Sequence, residues 1–513
     1  MKKSRKIIGA VATVTVFGVF TRFISFIFKI YLSRVLGAEA LGLYQIALSV
    51  FFLFSAFSSS GIPLVLSRKT AEHNALNKND TFSLFTTSLI ISTGLSVTIA
   101  IVLSLINSHL SFLFSDKGAL PLFLIMIPAL VSTSIYCVVR GWFWGDKQFT
   151  AFSATETIEE CLRILFGVLF ISGVLGSISG EYAIALAFTA SDILVAVILL
   201  AIFFIKGGKI TKPTQIKEIL LPSLPITAMR ILSSLIGTLT AFILPLRLVT
   251  SGMSGAEATA TFGRISGMAN PLLFAPNAII SSLSIVLIPE MSASMAKNDL
   301  TSLNKQLTLG INFSFLISGL FMVIYSSIGS AITNFLYNDV ISGQYLQVAT
   351  FCMIPVVLSQ MTQSALNSIG KEYTSFINYL CGNIVMLFII YALPKYIGIY
   401  TVAVASFVST TIISIMNVLS LKKETTLSTD FIKYAFLVVL FVLPCAFITK
   451  CVYSLCATMP IVFAIIIAVT VGCCSYFALC LITNVLDVRG IILQRFHGKF
   501  SISPKRKQTV DKS

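Results

Sequence analysis

Apolar residues in this 513-residue chain arrive in long blocks separated by short polar breaks. Fourteen blocks can be drawn, at residues 7–33, 42–66, 82–106, 120–139, 150–173, 182–205, 219–249, 262–288, 307–328, 347–368, 374–393, 398–421, 432–452 and 460–483. Each is about the 20 residues that a helix needs to cross a ~30 Å hydrocarbon core. Helices are the expected form, because a spanning helix satisfies its own backbone groups. The alternating ten-residue segments of a membrane barrel are not found. The pattern predicts an all-α polytopic membrane protein with about 14 transmembrane helices.

The polar breaks repeat. Gly37-Ala38-Glu39-Ala40 returns as Gly255-Ala256-Glu257-Ala258, and Lys78-Asn79-Asp80 returns as Lys297-Asn298-Asp299. The segment from Gly145 to Phe152 is echoed from Gly370 to Phe376, with Thr150 matching Thr374. Three echoes in one order imply a duplicated unit, with spans 1–6 set against spans 7–12. Six is even, so the two copies share one orientation, a parallel repeat with its site between the copies. The expected organisation is an N-terminal lobe at 1–205, a connector at 206–218 and a C-terminal lobe at 219–421. Two extra helices at 422–483 and a basic tail at 484–513 complete it.

Composition sharpens this reading. The chain is 56% hydrophobic and 11% charged, with a formal net charge of +16. With the N-terminus inside, 26 basic residues fall in inside segments and five outside. That asymmetry puts both termini in the cytoplasm of a bacterial cell and makes the basic excess a matter of topology, with no nucleic acid implied. The first 21 residues read as an uncleaved span because no small-residue cleavage site closes them. The tail suits anionic lipid headgroups. Cysteines without paired spacing and three scattered histidines predict no metal site. No Walker A pattern is present, so the expectation is a transporter and not an enzyme.

Charges inside spans are the candidate chemistry. On span 1, Thr15, Gly18, Arg22, Ser25, Lys29 and Ser33 fall on one helical face. Each mid-membrane cation costs about 2.5–3.5 kcal/mol, so such a stripe implies water or an anion beside it. For Lys29, snorkelling to the surface is the other reading. Span 7 carries Arg230, and its Pro222, Pro225 and Pro245 predict a bent or broken helix. Span 8 carries Arg264, Asn270-Pro271 and Pro276-Asn277, where kinks either expose carbonyls to a cavity or only fit helix packing. Span 5 holds Glu156, Glu159, Glu160 and Arg163, with Glu159 and Arg163 at pairing distance, and span 6 holds the lone acid Asp192. Two readings stay open for these acids: an ion-paired packing device, or a site for a coupling proton or monovalent cation. Arg22, Lys29, Arg230 and Arg264 are read as unpaired cations facing an anionic ligand, with Ser25 and Asn270 beside them.

The opening RFISFIFKIYLSRVLGAEALGLYQ, the GIPLVLSR that ends span 2, and GMANPLLFAPN with LIPEMSAS on span 8 resemble the polysaccharide-transport branch of the multidrug/oligosaccharidyl-lipid/polysaccharide exporter superfamily. The resemblance covers roughly residues 5–485. It implies two six-helix lobes plus two helices, working by alternating access on lipid-linked oligosaccharides such as the peptidoglycan precursor lipid II, for spore cortex or cell wall. It also implies that Arg22 and Arg264 hold a pyrophosphate and that spans 13–14 shape a groove for the lipid tail. The related flippases carry an arginine on the second helix where this chain has Ser58-Ser59-Ser60. A cation-coupled multidrug antiporter on the same scaffold is the alternative function. A scaffold that contacts cell-wall synthesis enzymes through the tail is a third.

Overall fold

The computed structural model describes residues 2–59, 61–76, 80–173, 180–425 and 430–483. The basic tail, and the lipid contact expected of it, lie outside the described residues. Among those residues the secondary structure is helical throughout. The first half runs α1 (Lys2–Ser59), α2 (Ile62–Ala75), α3 (Thr81–Leu105), α4 (Ala119–Gly145), α5 (Phe149–Ile171) and α6 (Gly180–Ile205). The second half begins with α7 (Ile216–Thr250) and α8 (Gly255–Gly263), passes through a π-helical turn at Arg264–Ala269, and continues as α9 (Asn270–Leu273) and α10 (Ala275–Ala296). Then follow α11 (Leu300–Tyr337), α12 (Val340–Ala349), α13 (Met353–Ser368), α14 (Glu372–Ala392), α15 (Pro394–Ile397) and α16 (Thr401–Glu424). The last two are α17 (Asp430–Leu455) and α18 (Ile461–Ile482).

Among the described residues, eleven helices are long and apolar enough to cross a membrane. The first candidate covers Val16–Asn74, about 88 Å if straight, nearly three times a hydrocarbon core. It divides at Gly37, whose φ of 74° belongs to the left-handed region that glycine enters without a Cβ penalty. The α5 helix stands outside the eleven because it carries Glu156, Glu159, Glu160 and Arg163. The segment from Gly255 to Ala296 is interrupted by the π turn and by a further turn at Phe274.

The echoed motifs all lie at turns that start helices. Gly37 precedes the second part of α1, and Gly255 opens α8 behind a Ser254 cap. Asp80 and Asp299 stand at the N-caps of α3 and α11. Positive φ at Lys147 and at Gly370 leads into α5 and α14. Of the bent and broken forms expected from the prolines of span 7, the broken one is not found: α7 runs unbroken from Ile216 to Thr250 with all three prolines inside. Intramembrane helices absorb such prolines because neighbouring helices re-satisfy the freed carbonyls. The interruption falls in span 8, where Pro271 and Pro276 take early positions of new helical segments, at which a missing N–H costs nothing.

The two halves touch closely at the end of the bundle that contains Gly37, and also where Gly61, after α1, packs on Ser223 and Thr227 of α7. Gly42 and Gly263 face each other across α1 and α8, so close that a Cβ on either would collide with the backbone of the opposing helix. Beside this crossing Thr259 donates to Asp116 at 2.7 Å, Ser115 to the Ala241 carbonyl at 3.1 Å, and Arg34 to the carbonyls of Phe335 and Leu336. At the opposite end the connector lies extended along α3, with Thr86, Thr87 and Ser83 bonded to residues 211–214. A ring cluster of Phe85, Trp142 and Phe203 packs α3, α4 and α6 together there. The main packing partners of α5 are α1, α4 and α6, and those of α10 are α11 and α13, so each stays within its own half.

Candidate functional site

Three carboxylates converge on one guanidinium inside the first half. Arg163 meets Glu159 at 2.5 Å and Glu160 at 3.0 Å along α5, and Asp192 of α6 at 3.3 Å. The helical spacing predicts the first contact, and Asp192 finds one of the buried arginines as its partner. Asp192 also accepts from Thr133 of α4 at 2.5 Å. Glu156 points elsewhere, to Arg140 at 2.6 Å, whose guanidinium also lies 4.3 Å from the Phe152 ring centroid. Three carboxylates thus share a single cation within a span. Lys29 of α1 lies within electrostatic reach of Glu160. Thr21 and Thr157 share a hydrogen bond at 2.8 Å, which ties α1 to α5 directly beside Arg22.

Of the predicted anion ligands, Arg22 and Lys29 are exposed on α1 and Ser25 is half-buried between them. Thr15, at the head of that stripe, has its side chain outside the described residues. Arg230 is exposed on α7 and lines a cavity of about 340 Å³ with Ser233, Gln363, Asn367, Glu372 and Tyr379. Among the described residues no hydrogen bond or ion pair engages Arg22, Lys29 or Arg230. Asn270 is half-buried and begins the helix after the π turn.

Arg264 departs from expectation. It is not an unpaired cation, because its Nε donates to Asp339 Oδ2 at 2.9 Å. Asp339 lies far from span 8 in sequence, in the turn between α11 and α12. The one local signal is the pattern Asn338-Asp339-Val340-Ile341-Ser342, an acid three residues before a serine at the start of a helix. Arg264 also opens the π turn, a feature common at functional sites.

A second cavity is apolar. It holds about 680 Å³ between α13, α16 and α17, lined by residues such as Leu358, Phe407, Leu419, Phe431 and Phe436, with Lys422 also on its wall.

Residues 9–295 match the model of the polysaccharide biosynthesis protein family. The chain is 24% identical to Stage V sporulation protein B of Bacillus subtilis (strain 168), over 85% of this chain and 87% of that protein. Its fold is similar to that of the lipid II flippase MurJ in an inward closed conformation, with a TM-score of 0.73 at 16% identity over 93% of this chain and 99% of that one. It is also similar to an inward-facing multidrug resistance transporter of the MATE family and MOP superfamily, with a TM-score of 0.69 at 19% identity over 79% and 94% of the two chains. A multi-pass helical membrane protein with this fold, matched to that model over more than half its length, is a member of the polysaccharide biosynthesis protein family.

Proposed function

We propose that this chain is an alternating-access flippase for a lipid-linked oligosaccharide with a pyrophosphate head, of which lipid II is the first candidate. The observation that carries this reading is a separation of charge. The cations Arg22, Lys29 and Arg230 stand exposed on α1 and α7 with no ion-pair partner among the described residues, while Glu159, Glu160 and Asp192 are gathered around Arg163. Free guanidinium groups suit a phosphate, which they can bind in bidentate fashion. Arg22, Arg230 and Lys29, with Ser25 and Asn270 beside them, would receive the head, and Arg264 would join them. The named relatives, one in sporulation and one a lipid II flippase, support a cell-envelope substrate.

In this reading the protein has fourteen spans: the two parts of α1 count separately, and α5 and the 255–296 segment each cross. Residues 1–205 and 219–421 form two lobes, and 422–483 add two helices. Both termini are cytoplasmic, which puts Gly37 at the outer face. Contact between the halves at Gly42 and Gly263 then closes the outer side. The apolar cavity along α17 offers a surface for the lipid tail. The acids Glu159, Glu160 and Asp192, with Glu156 near by on Arg140, would bind a proton or monovalent cation that couples transport to a gradient. Membrane potential supplies a further ~2.3 kcal/mol per charge moved across 100 mV.

The acid cluster also favours a second reading, a cation-coupled multidrug antiporter. Reconstituted protein given a fluorescent lipid-linked pyrophosphate, a lipid-linked monophosphate and a cationic dye separates the two. Selective movement of the pyrophosphate lipid is expected. Movement of the dye alone would replace the proposal with the antiporter.

A further inference from the structure

The pairing of Arg264 gives Asp339 a role. We propose that Asp339 is a built-in counter-anion that holds Arg264 while the site is empty and competes with the phosphate of the substrate, thereby limiting how tightly the substrate is held. This rests on reading Arg264 as a ligand for the substrate's anionic head.

The geometry supports competition more than a fixed structural bridge. Asp339 cannot move with Arg264, because its second oxygen, Oδ1, accepts from the backbone N–H of Ser342 at 2.7 Å as the N-cap of α12. Arg264 has a long side chain and gives Asp339 only its Nε–H. Among the described residues its Nη groups have no partner, so the fork that binds phosphate bidentately stays available. The carboxylate and guanidinium are 12% and 20% exposed, so water screens the pair only in part. A phosphate arriving at the Nη edge therefore meets two effects at once: attraction to Arg264 and repulsion from an acid fixed to the same guanidinium. Arg22 and Arg230 have no ion-pair partner among the described residues and would capture the head first. Arg264 would engage only when the phosphate displaces Asp339, and the carboxylate would later reclaim Arg264 and help expel the head.

The same corner is tied to the first half. Arg34 donates to the Phe335 and Leu336 carbonyls at the C-terminal end of α11, where the helix dipole attracts a cation, three to four residues before Asp339. The counter-anion thus stands close to where the halves touch.

Asp339→Asn is the test, because asparagine caps a helix as well as aspartate does but carries no charge. Binding of a fluorescent lipid-linked pyrophosphate to the purified full chain is expected to tighten about tenfold, with slower turnover in proteoliposomes. In an Arg264→Ala background the same change should move binding less than about twofold, and melting curves of all four proteins confirm that they are folded. Unchanged affinity in Asp339→Asn, or equal tightening in both backgrounds, overturns the proposal while leaving the flippase intact. Absence of saturable binding by the wild type overturns the flippase reading and this inference with it.

Discussion

The helix pair α5–α6 of the first half and the pair α14–α16 of the second would occupy equivalent places in the duplication proposed from the sequence echoes, yet they hold different chemistry. At the offset that matches Thr150 to Thr374, Glu159 corresponds to Asn383, and Asp192 falls one residue from correspondence with Asn417. In the first half, three acids surround Arg163. In the second, Asn378 donates to Asn417 at 2.8 Å, Asn417 donates to Thr362 at 3.2 Å, and Asn383 donates to the Tyr379 carbonyl at 2.8 Å. The amide network is neutral and mutually satisfied, so it specifies packing and nothing more. The acid network sets three carboxylates on a single cation. In a membrane span such an arrangement favours a proton, a cation or a neighbouring lysine beside it, which would tie the first half to something that comes and goes. In the proposed coupling role, the second half keeps packing alone and the first half gains the means to respond.

The largest way to break this contrast is Arg163→Leu. With its shared cation gone, the acid cluster of α5 and α6 should lose about 3–5 kcal/mol, read as a sharp fall in thermal stability in detergent. A wild-type melting curve would mean the acids are neutral at rest. Next comes the paired change Glu159→Gln with Asp192→Asn, which gives the first half the neutral character of the second. Transport driven by an imposed cation or proton gradient should fall to the rate seen without one, while binding of the lipid substrate persists. Asn417→Ala in the second half should cost about 1–3 kcal/mol by stranding Asn378, and leave gradient dependence unchanged. If it altered gradient dependence, the two networks would share a function.

The smallest effect separates a third repeated pair. Asp299 caps α11, and hydrogen bonds from Thr301 and Ser302 lower its carboxyl to about 2. Burial would raise Asp80, but hydrogen bonds from His73 and Gln215 outweigh it and hold its carboxyl below the ordinary range. A lowered carboxyl contributes stability above its unfolded value of about 4 and loses it as pH falls through the folded value. The Asp299 contribution should therefore fade only between about pH 4 and pH 2. Asp299→Ala should slightly lower the melting temperature at pH 6 and change nothing at pH 2, as scanning calorimetry would read.

Much of this was legible in the sequence because it is local. Apolar blocks, the Gly37 and Gly255 turns and the Glu159–Arg163 spacing each depend on neighbours in the chain. The misses are long-range. Pro222, Pro225 and Pro245 mark a break by propensity alone, but α7 stays helical because packed neighbours decide the outcome. The Asp339 partner of Arg264 is 75 residues distant, and the Arg140 partner of Glu156 lies on another helix. Charge pairs across helices follow from packing angles, and residue spacing does not encode those.

The most direct test is translocation of fluorescent lipid II in proteoliposomes by the wild type and by Arg22→Ala/Arg230→Ala, both shown to be folded by their melting curves. The account predicts transport by the wild type and its loss in the double variant, with a drop of at least about tenfold. Equal transport by the two would contradict the central claim that the exposed cations of α1 and α7 hold the anionic head.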